Sequence, residues 1–258
     1  MSVLESIIAG VREDLEQRRQ RAPRADLELW LEACVAPTDP LPAFRSDGLS
    51  VIAEVKRRSP SKGDLATITD AAALAGNYEA GGAAAISVLT EQRRFGGSLA
   101  DFDAVRHRVD IPMLRKDFIV DEYQILEARV HGADMVLLIV AALTDEELTR
   151  LLEFSWDLCL TPLVEVHTVD EAARALDAGA DLIGVNNRNL KTLDVDLSNF
   201  GRIVQHIGDD VVRVAESGIL TPDDARRVRD EGADAILVGE ALVKHGNPRE
   251  AVRALAGR

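Results

Sequence analysis

Ser50-Val-Ile-Ala-Glu-Val-Lys-Arg-Arg-Ser-Pro-Ser-Lys-Gly63 is the stretch on which the reading of the fold turns. It begins as an apolar, β-branched run, the pattern of a buried strand. It then turns polar at Glu54 and Lys56. Alternate strand residues share a face, so the acid and the amine stand side by side. Burying such groups is costly unless they pair or are used. The loop Ser59-Pro60-Ser61-Lys62-Gly63 adds hydroxyls, a cation and a flexible glycine, the parts of an anion site. A salt bridge at a strand end followed by an ordinary turn explains the same residues.

Outward from this stretch the chain repeats itself. Apolar runs fall near 50–55, 84–89, 111–115, 134–140, 161–166, 181–186, 211–215 and 235–238. Helical patterns lie between them. Thr144/Glu147, Thr168/Glu171 and Asp121/Gln124 have capping-box spacing, and Thr221-Pro222 is an N-cap followed by proline. Gly-Ala-Asp recurs at 132–134, 179–181 and 232–234, each time before an apolar run. A glycine there suits the left-handed residue that ends a helix. Eight alternating strand and helix units predict a parallel (β/α)8 TIM barrel, over residues 48–258. An open parallel sheet would use the same elements with a different closure.

Before the barrel, residues 1–47 read as a helical extension. Leu4, Ile7, Ile8, Val11 and Leu15 have helical spacing, Ser2 and Glu5 fit a capping box, and Arg18, Arg19 and Arg21 suit a helix C-terminus. A proline-rich passage follows, with a short amphipathic piece around Leu27 to Leu31. The 258 residues carry a formal net charge of -14, which argues against nonspecific nucleic-acid binding. An anionic substrate would have to be met by local positive charge. Cys34 and Cys159 show no metal spacing and suit a reducing cytoplasm. Neither a signal peptide nor a run long enough to span a membrane is expected.

Catalytic groups of such barrels sit at the C-terminal strand ends. Those ends carry Glu54 and Lys56, Lys116, Glu165, Asn186 and Arg188, Glu216 and Ser217, and finally Gly239. A lysine in a barrel mouth can hold a carboxylate or act as an acid. A glutamate against apolar walls can move protons. Ser217-Gly218 and Gly239, each before a helix, suggest a phosphate held by backbone N–H groups. Plainer readings exist: Glu216 could only pair Lys56, and Arg188 could only brace a loop. His167, a lone histidine, reads as a surface residue.

The motifs now in view resemble those of the indole-3-glycerol phosphate synthase family. They are Ile52-Ala-Glu-Val-Lys-Arg-Arg-Ser-Pro-Ser-Lys-Gly63, Ser87-Val-Leu-Thr-Glu91 with Phe95-Gly-Gly-Ser98, and Leu114-Arg-Lys-Asp-Phe-Ile119. Leu137-Leu-Ile-Val-Ala141, Val164-Glu-Val166, Gly184-Val-Asn-Asn-Arg-Asn-Leu190 and Ala215-Glu-Ser-Gly-Ile219 follow in order. The resemblance implies an N-terminal extension packed over the barrel mouth. It implies that 1-(2-carboxyphenylamino)-1-deoxyribulose 5-phosphate undergoes ring closure, decarboxylation and dehydration to indole-3-glycerol phosphate, in tryptophan biosynthesis. Neither a metal nor an organic cofactor is implied.

By motif position, the resemblance makes Lys116 the acid for ring closure. Lys56 contacts the substrate carboxylate and is a candidate acid in dehydration. Glu165 is a general acid/base, Glu54 tunes the lysines or assists proton transfer, Asn186 positions substrate, and Glu216 holds the network. Ser59, Ser217, Gly218, Gly239 and, as a further candidate, Arg188 bind phosphate. Phe95, Leu137 and Leu190 flank the aromatic ring. The expected partner is this small anionic substrate, with no nucleic acid, membrane or fused second enzyme, and a monomer is favoured. Arg93 and Arg94 are expected in solvent. Glu240, next to Gly239, must turn away or weaken phosphate binding.

A sugar-phosphate isomerase would share the barrel but needs only one acid and one base. A Schiff-base aldolase would use Lys116 as nucleophile. A non-catalytic barrel would leave the filled strand ends unexplained.

Overall fold

Eight short strands pair in parallel, each with its sequence neighbour. They are β1 (Ser50–Val55), β2 (Ala85–Leu89), β3 (Met113–Lys116), β4 (Met135–Ile139), β5 (Thr161–Val166), β6 (Leu182–Asn186), β7 (Val212–Glu216) and β8 (Ala235–Val238). The ring closes where Ser50 meets Ala235 and Ile52 meets Leu237, so the sheet is a (β/α)8 TIM barrel and not an open sheet. This is a computed structural model, and it describes residues 3–59, 63–64, 68–189, 192–244 and 246–257. Ser2 and the loop residues Pro60, Ser61 and Lys62 lie outside the described residues, as does Leu190.

The strands are buried on both faces, and the two faces do different work. Ile52, Leu114, Leu163, Leu182, Val214 and Leu237 belong to one apolar cluster that fills the barrel. Their alternate neighbours, such as Val51, Ala53, Val164 and Ile183, join the larger cluster beneath the helices. The period of two then dictates which polar residues face the barrel interior. Glu54 lies two residues after Ile52, Lys116 two after Leu114, Glu165 two after Leu163, and Glu216 two after Val214.

The helices start and stop largely as their sequences predict. Thr144 begins α7 (Asp145–Asp157) with a full capping box, and Thr221 begins α10 (Pro222–Asp230) with another, closed by Asp224. Thr168 caps α8 (Val169–Asp177) through the Glu171 N–H, but the Glu171 carboxylate returns to the His167 N–H at 2.7 Å. Asp121 caps α6 (Glu122–Val130) through Tyr123, while Gln124 turns back to accept the Val120 N–H. Gly132, Gly179 and Gly232 have φ of 81°, 87° and 108°, the left-handed geometry expected of them.

Residues before the barrel divide between its two ends. In α1 (Val3–Arg21), Val3, Leu4 and Ile7 line a cavity at the C-terminal strand ends. In α3 (Leu41–Phe44), Phe44 packs into the interior cluster beside the start of β1, where Ser50 Oγ donates to the Ala43 carbonyl. Arg93 and Arg94 are exposed, as expected, but both are tied to α1. Arg93 donates to Asp14 at 2.7 and 2.9 Å and to Glu13 at 2.8 Å, and Arg94 donates to Ser6 Oγ at 3.0 Å. These arginines clasp the loop after β2 onto α1. Among the described residues no helix is long and apolar enough to cross a membrane.

One buried charge ties helix to barrel. Arg115 is wholly buried and faces away from the barrel interior, toward α6. Its guanidinium donates to the Gln124 carbonyl, Thr90 Oγ1 and Asp117, and pairs with Glu127 at 2.8 Å. Removing it strands two buried carboxylates. Arg115→Leu should therefore cost about 3–5 kcal/mol in urea denaturation. Thr144→Ala, which deletes one cap, should cost about 1 kcal/mol. Equal costs would mean that the Arg115 network contributes only packing.

Candidate functional site

The cavity at the C-terminal strand ends is walled by apolar side chains and floored by charge. Lys116 Nζ lies 3.3 Å from Glu216 Oε2 and 3.5 Å from Glu165 Oε2. Beside them Lys56 pairs with Glu54. Asn186 Nδ2 donates to Glu165 Oε1 at 3.1 Å. The six residues come from β1, β3, β5, β6 and β7, or just beyond, and all six line this one cavity. Glu216 is thus the partner of Lys116 rather than of Lys56.

The charges divide unequally. Burial alone would strip the proton from Lys116, but Glu216, Glu165 and Glu54 outweigh it and hold the ammonium well above its ordinary range. Burial pushes against charge on Glu165 too, yet Lys116, then His167 and Asn186, bring its carboxyl below the usual range. Glu54 is lowered likewise, with Lys56 and Lys116 overcoming its burial. Glu216 goes the other way. Burial, reinforced by Glu165 and Glu54, exceeds the pull of Lys116 and raises it to about 7. Its Oε1 is buried and, among the described residues, has no hydrogen-bond partner. It sits against Gly184, where any Cβ would collide with that oxygen. One carboxylate is therefore a ready base and another a ready acid.

Phe95 and Phe118 form a tilted aromatic pair with centroids 6.0 Å apart, on the same wall region as Leu137. Phe95 is positioned by Glu91, whose carboxylate accepts the backbone N–H groups of Arg93, Arg94 and Phe95 at 2.7–3.0 Å. The sequence reading assigned no role to Phe118. Its neighbourhood to Phe95 depends on how β2 and β3 align, which no local pattern reports.

The expected anion end lies after β7 and β8. Ser217 and Gly218 both have positive φ, 63° and 82°, so two successive residues turn the backbone left-handed. A Cβ on Gly218 would come within 2.6 Å of Val195. Gly239 packs against Glu54, where a Cβ would lie 2.9 Å from Oε2. Glu240 turns to Lys244 at 2.5 Å. Arg188 lines the same cavity and donates to the Leu193 carbonyl at 3.0 Å. Ser59 lies in a two-residue ribbon, Arg58–Ser59 with Gly63–Asp64. Among the described residues no group of three His, Cys, Asp or Glu is arranged to hold a metal ion.

His167 is the residue misjudged from sequence. It is not a surface side chain: 9% of it is exposed, and Nε2 lies 3.3 Å from Glu165 Oε1. Its position two residues after Glu165, one past the end of β5, keeps it within reach of that carboxylate.

Comparison with known proteins bears on this arrangement directly. The family model for indole-3-glycerol phosphate synthase matches residues 4–255. The indole-3-glycerol phosphate synthase of a Nocardioides species is 62% identical over 257 residues, covering 100% of this chain and 99% of that protein. Indole-3-glycerol phosphate synthase 1 of Streptomyces coelicolor is 58% identical, over 99% of this chain and 95% of that protein. A solved 3-hexulose-6-phosphate synthase, 16% identical, superposes with a TM-score of 0.64 over 81% of this chain and 99% of that one, a likeness of fold. The chain belongs to the indole-3-glycerol phosphate synthase family.

Proposed function

We propose that the chain makes indole-3-glycerol phosphate from 1-(2-carboxyphenylamino)-1-deoxyribulose 5-phosphate, releasing carbon dioxide and water. The observation that carries this reading is Lys116, a buried ammonium between Glu165 and Glu216 in an apolar mouth. Ring closure needs an acid at the C2 carbonyl, so that the aromatic ring can attack. Lys116 is held protonated for that role. The Lys56–Glu54 pair gives the substrate carboxylate a cation to displace Glu54 from. Loss of that carboxyl group as carbon dioxide restores the aromatic ring. Dehydration then needs a base for the ring proton and an acid for the departing hydroxyl. Glu165 is ionised and suits the first task. Lys56, or Glu216 with its raised carboxyl, suits the second.

The rest of the cavity fits the ends of that substrate. Phe95, Phe118 and Leu137 flank its ring. Backbone N–H groups at Ser217, Gly218 and Gly239, with Ser59 and Arg188, receive the phosphate. Asn186 fixes Glu165 and substrate together. Within residues 1–47, α1 serves as the cover that closes the mouth of the barrel of residues 48–258, while α3 seals the opposite end. Every group needed comes from one chain, so a monomer is the working unit. The two cysteines are free, which suits the cytoplasm.

The Schiff-base alternative is disfavoured by the same lysine. An amine nucleophile must be neutral, and three carboxylates hold Lys116 charged.

Two measurements test the proposal. Purified protein given the substrate should generate indole fluorescence, and Lys116→Met should bind substrate but lose about 10²-fold or more in kcat. A variant with the parent rate would remove Lys116 from ring closure. For the cover, the double variant Arg93→Ala/Arg94→Ala should raise KM several-fold and leave kcat within about twofold, as loss of uniform binding does. High salt should raise the parent KM by a larger factor than that of the variant, since screening of the anionic substrate is common to both. An unchanged KM in both would detach α1 from substrate retention.

A further inference from the structure

A second cavity adjoins the first, between α1 and the ends of β4, β5 and β6. His167 lines this second cavity and not the one that holds Lys116. It therefore stands on the far side of Glu165 from Lys116. Nε2 lies 3.3 Å from Glu165 Oε1, and Nδ1 lies 3.2 Å from Glu171 Oε2. Both neighbours are fixed. Glu171 sits in the first turn of α8, its N–H donating to Thr168 Oγ1 and its carboxylate accepting the His167 backbone N–H. Glu165 Oε1 also accepts from Asn186. The His167 carbonyl accepts from Asn199 Nδ2 at 3.3 Å. A neutral imidazole has one N–H, and a carboxylate faces each nitrogen of this ring. Among the described residues Nε2 is buried without a hydrogen bond of its own, so Glu165 meets it as an ion-pair neighbour, and a doubly protonated ring puts charge on both sides.

We infer that His167 is a positioning residue for Glu165: an imidazolium braced on Glu171 that aims the catalytic carboxylate and keeps it ionised. The inference rests on Glu165 exchanging protons with substrate, as proposed above. Burial opposes charge on the ring, but Glu165 and Glu171 prevail and raise it to about 10. The pair is not isolated. Lys116, Glu216 and Glu54 face Glu165 across the barrel, while Glu5, Arg12, Arg188, Arg202, Asp194 and Asp196 stand around the second cavity. Lys116 already lowers Glu165, so His167 supplies the second cation, from the side of the second cavity.

The sign of the effect is fixed. A cation beside a carboxylate lowers its pKa, so removing the ring must raise that of Glu165. His167→Ala should lower kcat about tenfold or more with KM within about twofold. The acidic limb of its kcat/KM profile should move up by about one pH unit. His167→Gln retains a donor near Nε2 but no charge, and should recover part of kcat while the limb stays displaced. Parent values of kcat and of the acidic limb in His167→Ala, with Glu165→Gln inactive, would overturn the inference. Full turnover by Glu165→Gln would instead defeat the role of Glu165, and the inference with it. A readout that leaves His167 itself in place uses ¹⁵N-histidine, with His107, His131, His206 and His245 replaced one at a time to assign the signals. Both nitrogens of His167 should remain protonated at pH 8. A ring that titrates near 6.5 would overturn the inference.

Discussion

A lysine ammonium buried beneath an apolar mouth cannot stand alone. Removing one such charge from water without compensation costs several kcal/mol even after the surroundings relax. Lys116 is compensated by carboxylates that are 49 and 100 residues away in the chain. That is possible only if β3, β5 and β7 end at one level in a closed ring. The barrel interior meets this condition by stacking an apolar layer, Ile52, Leu114, Leu163 and Val214, directly below the charged one. The adjacent residue Arg115 faces the opposite way and holds α6 to the outside of the ring. One short strand thus carries a structural cation on one face and the site's central cation on the other.

Clustering three carboxylates around one cation does more than neutralise it. Like charges so near cannot all ionise with equal ease. Glu165 gains support from Asn186 and His167, and Glu54 from Lys56, so both remain charged. Among the described residues Glu216 has no second cation and one oxygen without a partner, and Gly184 lies against it. It keeps its proton to higher pH than its neighbours. The division between a base and an acid follows from which strand end has a spare donor, and Gly184 matters because a side chain there would occupy the space of the Glu216 carboxyl.

The barrel was legible because its signals are local and repeated. Apolar runs, threonine caps and the three Gly-Ala-Asp turns each report a strand or helix boundary within a few residues. The inward position of Glu54, Lys116, Glu165 and Glu216 was legible for the same reason, since a period of two carries it from the core residue below. What escaped depends on closure. Nothing near Glu216 says that its cation is Lys116 and not Lys56. Nothing near Arg93 announces Asp14 and Glu13 on a helix some eighty residues earlier. His167 was passed over because a single histidine carries little weight until Glu171 and Glu165 are seen on either side of it. Asp121 and Gln124 had the spacing of a capping box, yet Gln124 turned back to Val120, so spacing alone did not decide its partner.

The protonation state of Lys116 can be read without substrate. The chain has five lysines, so ¹³Cε-lysine labelling gives few signals to follow through a pH titration. The Lys116 resonance should keep its ammonium shift beyond pH 10.5, the ordinary value for lysine, because carboxylates on three sides outweigh its burial. A Lys116 signal that titrates below that value would mean that burial prevails, and that the carboxylates do not converge on this lysine as the account requires.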